Sequence, residues 1–245
     1  VMTRWMDLSW PEVTAAVAAQ PFALLPFGAV EEHGPHLPLG TDVFAAEGLA
    51  ARIAERADLL ELPVMPYGQV WSLEHFDGSL SVSDATLTQL VVEIAGGLQR
   101  VGVRGVVLMS AHLGNAAALK KATRALEESG GIPAIALTYP GLSAVARQVR
   151  ERPESHPAIM HADELETSIM LALDPDRVRM DRAVAEYPEY PDHFDVAAVR
   201  WDTVSESGVF GDATAASADK GEAIVEHVVA TAAALIESWK AATPR

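Results

Sequence analysis

The chain has 245 residues, of which 49% are hydrophobic, so it can bury a full core and is expected to form one domain over residues 1–245. Its 34 acidic and 18 basic residues give a formal net charge of -16, which disfavours binding to nucleic acid or to an anionic membrane surface. Cysteine is absent, so disulfides and thiolate ligands are excluded, and a transition metal would need histidine and carboxylate ligands, which suit Zn, Mn or Fe(II).

The first elements along the chain alternate between helix and strand. Ser9 is a candidate N-cap for a first helix, and Phe22–Phe27 forms an apolar run typical of a buried strand. Thr41 is expected to cap a second helix over residues 42 to about 56, and residues 62–66 predict a short strand marked by proline. We recognise no leader peptide in the sequence. No apolar run approaches the length of a membrane span, which is roughly 20 residues, so we expect a cytoplasmic protein.

The alternation continues through the middle of the chain. Ser83 or Asp84 can cap a third helix to about Val101, and Gly105–Ser110 predicts a fully buried strand. The further predicted elements are a helix over residues 115–127, a strand over 133–139, a helix over 169–173 and a long helix over about 217–239. Alternating strands and helices indicate an α/β fold in which a mostly parallel sheet is covered by helices on both faces.

Residues 28–42 carry the highest density of side chains that can bind a metal ion. Glu31, His33, His36 and Asp42 lie within this segment, which follows the first strand and precedes the second helix. His112 follows the strand Gly105–Ser110, and ligands in parallel sheets collect beyond the carboxyl ends of strands. Because several buried ionisable groups would be costly without a neutralising cation, the pattern predicts a metal site.

Three segments resemble the creatininase (creatinine amidohydrolase) family. The segment from Glu31 to Asp42, which reads EEHGPHLPLGTD, is similar to the family signature usually written Glu-Gln-His-Gly-Pro-His-Leu-Pro with a later Thr-Asp. Residues 110–115 resemble the family's Asn-Gly-His segment, and residues 161–168 resemble its His-Ala-Gly box that ends in Glu-Thr-Ser. The resemblance implies a three-layer α/β/α fold that often assembles as a hexamer, with two divalent ions, commonly Zn or Mn, and hydrolysis of a carbon–nitrogen bond.

The resemblance also implies roles for individual residues. Glu31, Asp42 and His112 would hold one metal ion, while His33 and the bridging Asp42 would hold the other. In creatininase a glutamate two positions after the histidine completes the second site, whereas this chain has Gly114 there. Glu164 is therefore predicted to supply the replacement, with Glu166 as the rival candidate.

The mechanism that the resemblance implies uses a water shared by the two cations as the nucleophile, generated as hydroxide at neutral pH. His161 matches the family's active-site histidine and would transfer a proton to or from the reacting groups. His36 is expected to orient a ligand rather than to bind metal.

The substrate is predicted to be a small amide, cyclic or linear, rather than creatinine. Met160 stands where creatininase has an acid, and no tryptophan among residues 153–159 matches the one that covers creatinine. Trp71, Glu74 and His75 are candidates for shaping the substrate pocket instead. A peptidase resembling the one that trims the mycofactocin precursor, and a non-catalytic metal-binding scaffold, are the alternative functions.

Overall fold

The computed structural model describes residues 3–243, and residues 1, 2, 244 and 245 of the predicted domain lie outside the described residues. The helices are α1 (Trp10–Ala19), α2 (Thr41–Arg56), α3 (Asp84–Arg100), α4 (Ala116–Glu128), α5 (Leu142–Val149), α6 (Glu164–Leu173) and α7 (Ala218–Ala242). The strands are β1 (Phe22–Phe27), β2 (Leu60–Glu61), β3 (Gly105–Ser110), β4 (Ala134–Thr138), β5 (Ala185–Glu186) and β6 (Gly211–Asp212).

The central sheet has four parallel strands in the order β2-β1-β3-β4. Its two middle strands, β1 and β3, pair along their whole length, from Phe22 opposite Gly105 to Phe27 opposite Ser110. The short strands β5 and β6 form a separate antiparallel pair. The parallel sheet confirms the prediction made from the alternation of strands and helices.

Side chains of the two middle strands alternate between two hydrophobic cores. Leu24 and Val107 pack into one core with α2, α5, α6 and α7, whereas Leu25 and Val106 pack into the other with α1, α3 and α4. Neighbouring residues of a strand point to opposite faces, so a continuously apolar strand needs a helical layer on each side. The result is the expected three-layer α/β/α sandwich.

Two elements differ from the sequence predictions. The short strand lies at Leu60–Glu61 rather than at residues 62–66, where Pro63 and Pro66 lack the N–H groups that a strand ladder needs. Helix α5 was not predicted, although apolar residues at positions 142, 145, 146 and 149 have the spacing of one helical face.

Two helices begin close to their predicted positions. Ser9 closes a capping box with Glu12, and Ser83 accepts a hydrogen bond from the Thr86 backbone N–H. Gly40 rather than Thr41 is the N-cap of α2, so Asp42 lies in the first turn of that helix. In residues 3–243, no helix combines the length and the apolar character needed to cross a bilayer.

Candidate metal centre

The ends of β1 and β3 bring the first group of polar side chains together. Both strands run in the same direction and end opposite each other, so Glu31 and His112 leave the sheet at the same edge. The Nδ1 atom of His112 lies 3.0 Å from Oε1 of Glu31 and 3.1 Å from Oδ2 of Asp42. Asp42 reaches this edge from the first turn of α2, where the helix dipole favours negative charge.

Gly28 allows this close approach of α2 to the end of β1. A Cβ atom built on Gly28 would lie 2.6 Å from both the Cα and the backbone nitrogen of Val43, the residue after Asp42. Backbone atoms cannot give way as a flexible side chain can, so a larger residue at position 28 would displace the start of α2. The glycine at position 28 therefore helps to set the position of Asp42.

A second group shares Asp42 with the first. The Nε2 atom of His33 lies 3.4 Å from Oδ1 of Asp42 and 3.6 Å from Oε2 of Glu166. The other ring nitrogen of His33, Nδ1, donates to the backbone carbonyl of Glu31 at 3.1 Å, which aims Nε2 at the carboxylates. Glu166 lies in the first turn of α6, and its carboxylate also accepts the Ala162 backbone N–H at 2.6 Å.

His161 lies beside both groups. Its Nδ1 atom is 3.6 Å from Oε1 of Glu31, and its Nε2 atom donates to Oε1 of Glu32 at 2.9 Å. The rings of His161 and His33 lie 4.5 Å apart between centroids. A carboxylate on the far side of a histidine ring fixes the tautomer and the orientation of that ring.

The protonation of the cluster follows from its burial and its carboxylates. Burial lowers the pKa of His33, but Asp42 and Glu166 raise it by a larger amount. The net pKa is therefore well above the ordinary value for histidine. Burial likewise lowers the pKa of His112, and Glu31 and Asp42 more than reverse the effect. Burial raises the pKa of Asp42, but the two histidines hold it well below its usual range.

Several atoms of the cluster have no hydrogen-bond partner among the described residues. These buried atoms are Oε2 of Glu31, Nε2 of His33 and Oδ2 of Asp42. Three sets of residues each offer ligand atoms within 4.8 Å of one another, namely Glu31, Asp42 and His112; His33, Asp42 and Glu166; and Glu31, His33 and His161. Unpartnered buried nitrogen and oxygen atoms in this arrangement fit divalent cations of the zinc or manganese type.

The geometry of α6 separates the two rival glutamates and favours Glu166 over the predicted Glu164. The carboxylate of Glu164 accepts the backbone N–H groups of Glu151 at 2.9 Å and Arg152 at 3.0 Å and pairs with Lys220 at 2.7 Å. These three partners hold it away from the cluster, whereas Glu166, two residues further along the first turn, points into it. His36 also lies outside the three sets, with its Nε2 atom 2.8 Å from Oγ1 of Thr167.

Close packing around position 114 explains why this residue is a glycine. A Cβ atom at this position would lie 2.5 Å from the backbone oxygen of Gln69 and in still closer contact with the ring of His112. The same Gln69 oxygen accepts a hydrogen bond from Nε2 of His112 at 2.7 Å, which turns Nδ1 toward Glu31 and Asp42. The absence of a side chain at position 114 therefore permits the hydrogen bond that orients His112.

A cavity of about 230 Å³ lies next to the cluster. Besides members of the cluster, its lining residues are Ser72, Leu73, Leu113, Gly114, Ala158, Met160 and Trp201. Trp71, Glu74 and His75 are not among its lining residues, so their role in substrate binding stays a prediction. Glu74 pairs with Arg200 at 2.7 Å, Trp71 stacks on the same arginine, and His75 lies 3.4 Å from Asp202.

Two residues at this centre were not identified from the sequence. Glu32 pairs with His161, although it stands where the family signature has glutamine. Trp201 lies in a loop-rich segment where no local pattern marks it as a site residue. Its ring centroid lies 6.0 Å from that of His161. Of the predicted residues, the structure brings Glu31, His33, Asp42, His112 and His161 together.

Known proteins resemble this chain over almost its full length. The family model described as creatinine amidohydrolase matches residues 6–236. A creatinine amidohydrolase of Pseudomonas putida is 35% identical, with 91% of this chain and 92% of the relative covered. A mycofactocin precursor peptide peptidase of Mycolicibacterium smegmatis is 32% identical, with 90% of this chain and 86% of the relative covered.

Solved structures agree with the sequence comparison. A crystal structure of creatinine amidohydrolase superimposes with a TM-score of 0.85 at 34% identity, covering 100% of this chain and 99% of that one. A manganese form of creatininase gives a TM-score of 0.84 at 33% identity with both chains fully covered, and a mutant creatininase described as of the Zn-Zn type gives the same values. The chain belongs to the creatininase family.

Proposed function

We propose that this protein is a metal-dependent amidohydrolase that uses two divalent ions, Zn or Mn, to hydrolyse the C–N bond of a small amide. The observation that carries the proposal is the pair of buried ligand sets that share Asp42 and leave ligand atoms without partners among the described residues. Creatininase structures named for Zn and Mn, and a relative that is a creatinine amidohydrolase, support the same chemistry.

Five side chains would hold the two ions. Glu31, Asp42 and His112 form the first set, and His33, Asp42 and Glu166 form the second. Glu166 takes the place that the sequence prediction gave to Glu164. Bound divalent ions would supply Lewis acidity, which makes a water more acidic and polarises an amide carbonyl.

His161 would handle the proton during hydrolysis. Its Nε2 proton is held by Glu32, so Nδ1, which lies on the side of Glu31, is the atom free to take up a proton from water and pass it to the leaving nitrogen. Burial lowers the pKa of His161, but the Glu32 carboxylate raises it by more, so the net pKa lies above the ordinary value for histidine. Proton transfer by a positioned side chain contributes on the order of 10²- to 10⁴-fold in rate.

The cavity would bind the amide and limit access of bulk water. Leu73, Leu113, Met160 and Trp201 give it a largely apolar lining beside the charged cluster. Apolar walls strengthen electrostatic interactions inside the site because they lower the local dielectric.

Metal analysis and an amide screen test this proposal together. Purified protein is expected to hold close to two divalent ions per chain, and His33→Ala is expected to lose one of them together with hydrolysis while the fold is retained. Cyclic and linear amides should be hydrolysed by the Zn- or Mn-loaded protein. Fewer than one ion per chain, with no activity after Zn or Mn is added, would instead favour the scaffold function.

A peptidase is the second candidate because the mycofactocin precursor peptide peptidases are relatives at 32% identity and below. The same screen separates the two functions, since hydrolysis of peptides alone would identify a peptidase. The family resemblance also favours a homo-oligomer, which sedimentation of the purified protein would test.

A further inference from the structure

A second, larger cavity borders the one beside the metal centre, with which it shares lining residues. This groove has a volume of about 790 Å³ and lies between α5 and residues 152–160. Three arginines line it, Arg147, Arg150 and Arg152, together with a single acidic residue, Glu154. In a chain with 34 acidic and 18 basic residues, this lining reverses the overall charge balance.

The three arginines differ in how far their charge is already compensated. Arg150 pairs with the buried Asp163 at 3.0 Å, and Arg152 lies 3.4 Å from Asp212 with more than half of its side chain exposed. Arg147 is exposed and makes no ion pair with any residue in the range 3–243. An uncompensated guanidinium beside two partly compensated ones can bind a planar oxyanion through paired N–H groups.

The groove and the smaller cavity share part of their lining. Leu113, Ala158 and Met160 contribute to both. The smaller cavity has about 230 Å³, below the roughly 300–1,000 Å³ of ordinary ligand pockets, so it can enclose the reacting amide but not an extended substrate. The remainder of such a substrate would lie in the groove.

Another cavity that borders the centre at His33 has the reverse charge. This open cavity of about 510 Å³ is lined by Glu32, Asp77 and Glu206 as well as by His33. An anionic group would be repelled from those carboxylates and attracted to the arginines. This difference in charge favours the arginine groove over the acidic cavity as the place for an anionic group.

We propose that the arginine groove binds a carboxylate carried by the substrate, so that the substrate class is a small amide with an acidic group several bonds from the C–N bond that is cleaved. The inference rests on the proposed function for the hydrolytic step, whereas the recognition of the carboxylate rests on the groove alone.

Three monoamides with increasing chain length probe this idea, namely succinamic, glutaramic and adipamic acid. Their neutral counterparts are succinamide, glutaramide and adipamide. Release of ammonia by the metal-loaded protein gives kcat and KM, and isothermal calorimetry at low salt gives binding without reference to turnover. At least one acid is expected to exceed its diamide about 10-fold in kcat/KM, through a lower KM, and the preference should shrink as salt screens the arginines.

Arg147→Gln is expected to raise KM and Kd for that acid about 3- to 10-fold, and Arg147→Gln with Arg152→Gln should abolish its advantage over the diamide. Arg124→Gln, an exposed arginine of α4 outside the groove, is the matched control and should leave both compounds unaffected. Arg150 is left unchanged because its loss would leave Asp163 buried without a partner.

The results distinguish the groove from the hydrolytic function. Equal turnover of acids and diamides, unaffected by Arg147→Gln, would refute the groove and leave the amidohydrolase intact. Binding of an acid that depends on Arg147, without hydrolysis of any amide, would support the groove and refute the amidohydrolase. Hydrolysis of peptides only would overturn the assignment to small acidic amides.

Discussion

Substitution of Glu164 by glutamine should mainly lower the stability of the protein, whereas the same substitution of Glu166 should mainly lower its metal content. Glu164→Gln removes a charge that accepts two backbone N–H groups and pairs with Lys220, while the glutamine oxygen can keep only part of these contacts. Lys220 retains Glu151 at 3.0 Å, which limits the loss, so we expect a decrease of about 2–3 kcal/mol in the free energy of unfolding. For a chain of this size that corresponds to a fall in Tm of about 4–12 °C.

Glu166→Gln should affect the metal centre more than the fold. The glutamine oxygen can still accept the Ala162 backbone N–H, but His33 loses one of its two carboxylate partners, so the metal-free protein should lose about 1–2 kcal/mol of stability. The second ligand set loses its only glutamate, and the bound metal should fall from two ions per chain to about one with at least 100-fold loss of activity.

Elemental analysis and thermal unfolding of both variants, with and without chelator, measure these effects. Glu164→Gln should retain two ions, whereas Glu166→Gln should retain about one. Loss of metal in Glu164→Gln with full metal content in Glu166→Gln would refute the assignment.

The pH dependence of Glu164→Gln provides a further check. Burial raises the pKa of Glu164, but Lys220 and two backbone N–H groups lower it more, so the net pKa lies below the ordinary value near 4.5. A carboxyl group with a lowered pKa in the folded state contributes stability above its unfolded pKa and loses it as the pH falls through the folded pKa. The destabilisation by Glu164→Gln should therefore be largest near pH 7 and should shrink below pH about 4.5.

Three further substitutions test individual contacts. Glu32→Gln should keep the metal content but lower kcat by about 10- to 100-fold, because His161 loses its carboxylate partner, and the pH profile of kcat/KM should shift to lower pH. Gly114→Glu should destabilise the protein by about 1–3 kcal/mol in chemical denaturation and add no metal ion, since its side chain would displace a backbone oxygen. Gly28→Ala should weaken metal binding measured by chelator competition, because the added methyl group pushes Asp42 and its helix turn away from the sheet.

Much of the sheet could be predicted from the sequence because its middle strands are apolar on both faces. β1 and β3 have the predicted bounds, and their ends placed Glu31 and His112 at one edge. The short strand β2 could not be placed, because its two residues carry almost no pattern.

The choice between Glu164 and Glu166 could not be made from the sequence. Both lie in the first turn of α6, and the sequence does not indicate which way that turn faces. The decision depends on Lys220, which lies on α7 far along the chain and holds Glu164 away from the cluster. The position of Trp201 in the cavity lining could not be predicted for a similar reason, because its loop is held by tertiary contacts with other aromatic residues.

The raised pKa values of His33 and His112 have a consequence for loading of the centre. At neutral pH the metal-free protein holds protons on both rings against the neighbouring carboxylates, so positive charge is already present where cations would bind. Each entering ion has to displace such a proton, which makes metal uptake an ion exchange that acidifies an unbuffered solution. Acidification of the surroundings would drive the exchange backwards, so the apparent affinity for metal should fall steeply as the pH decreases.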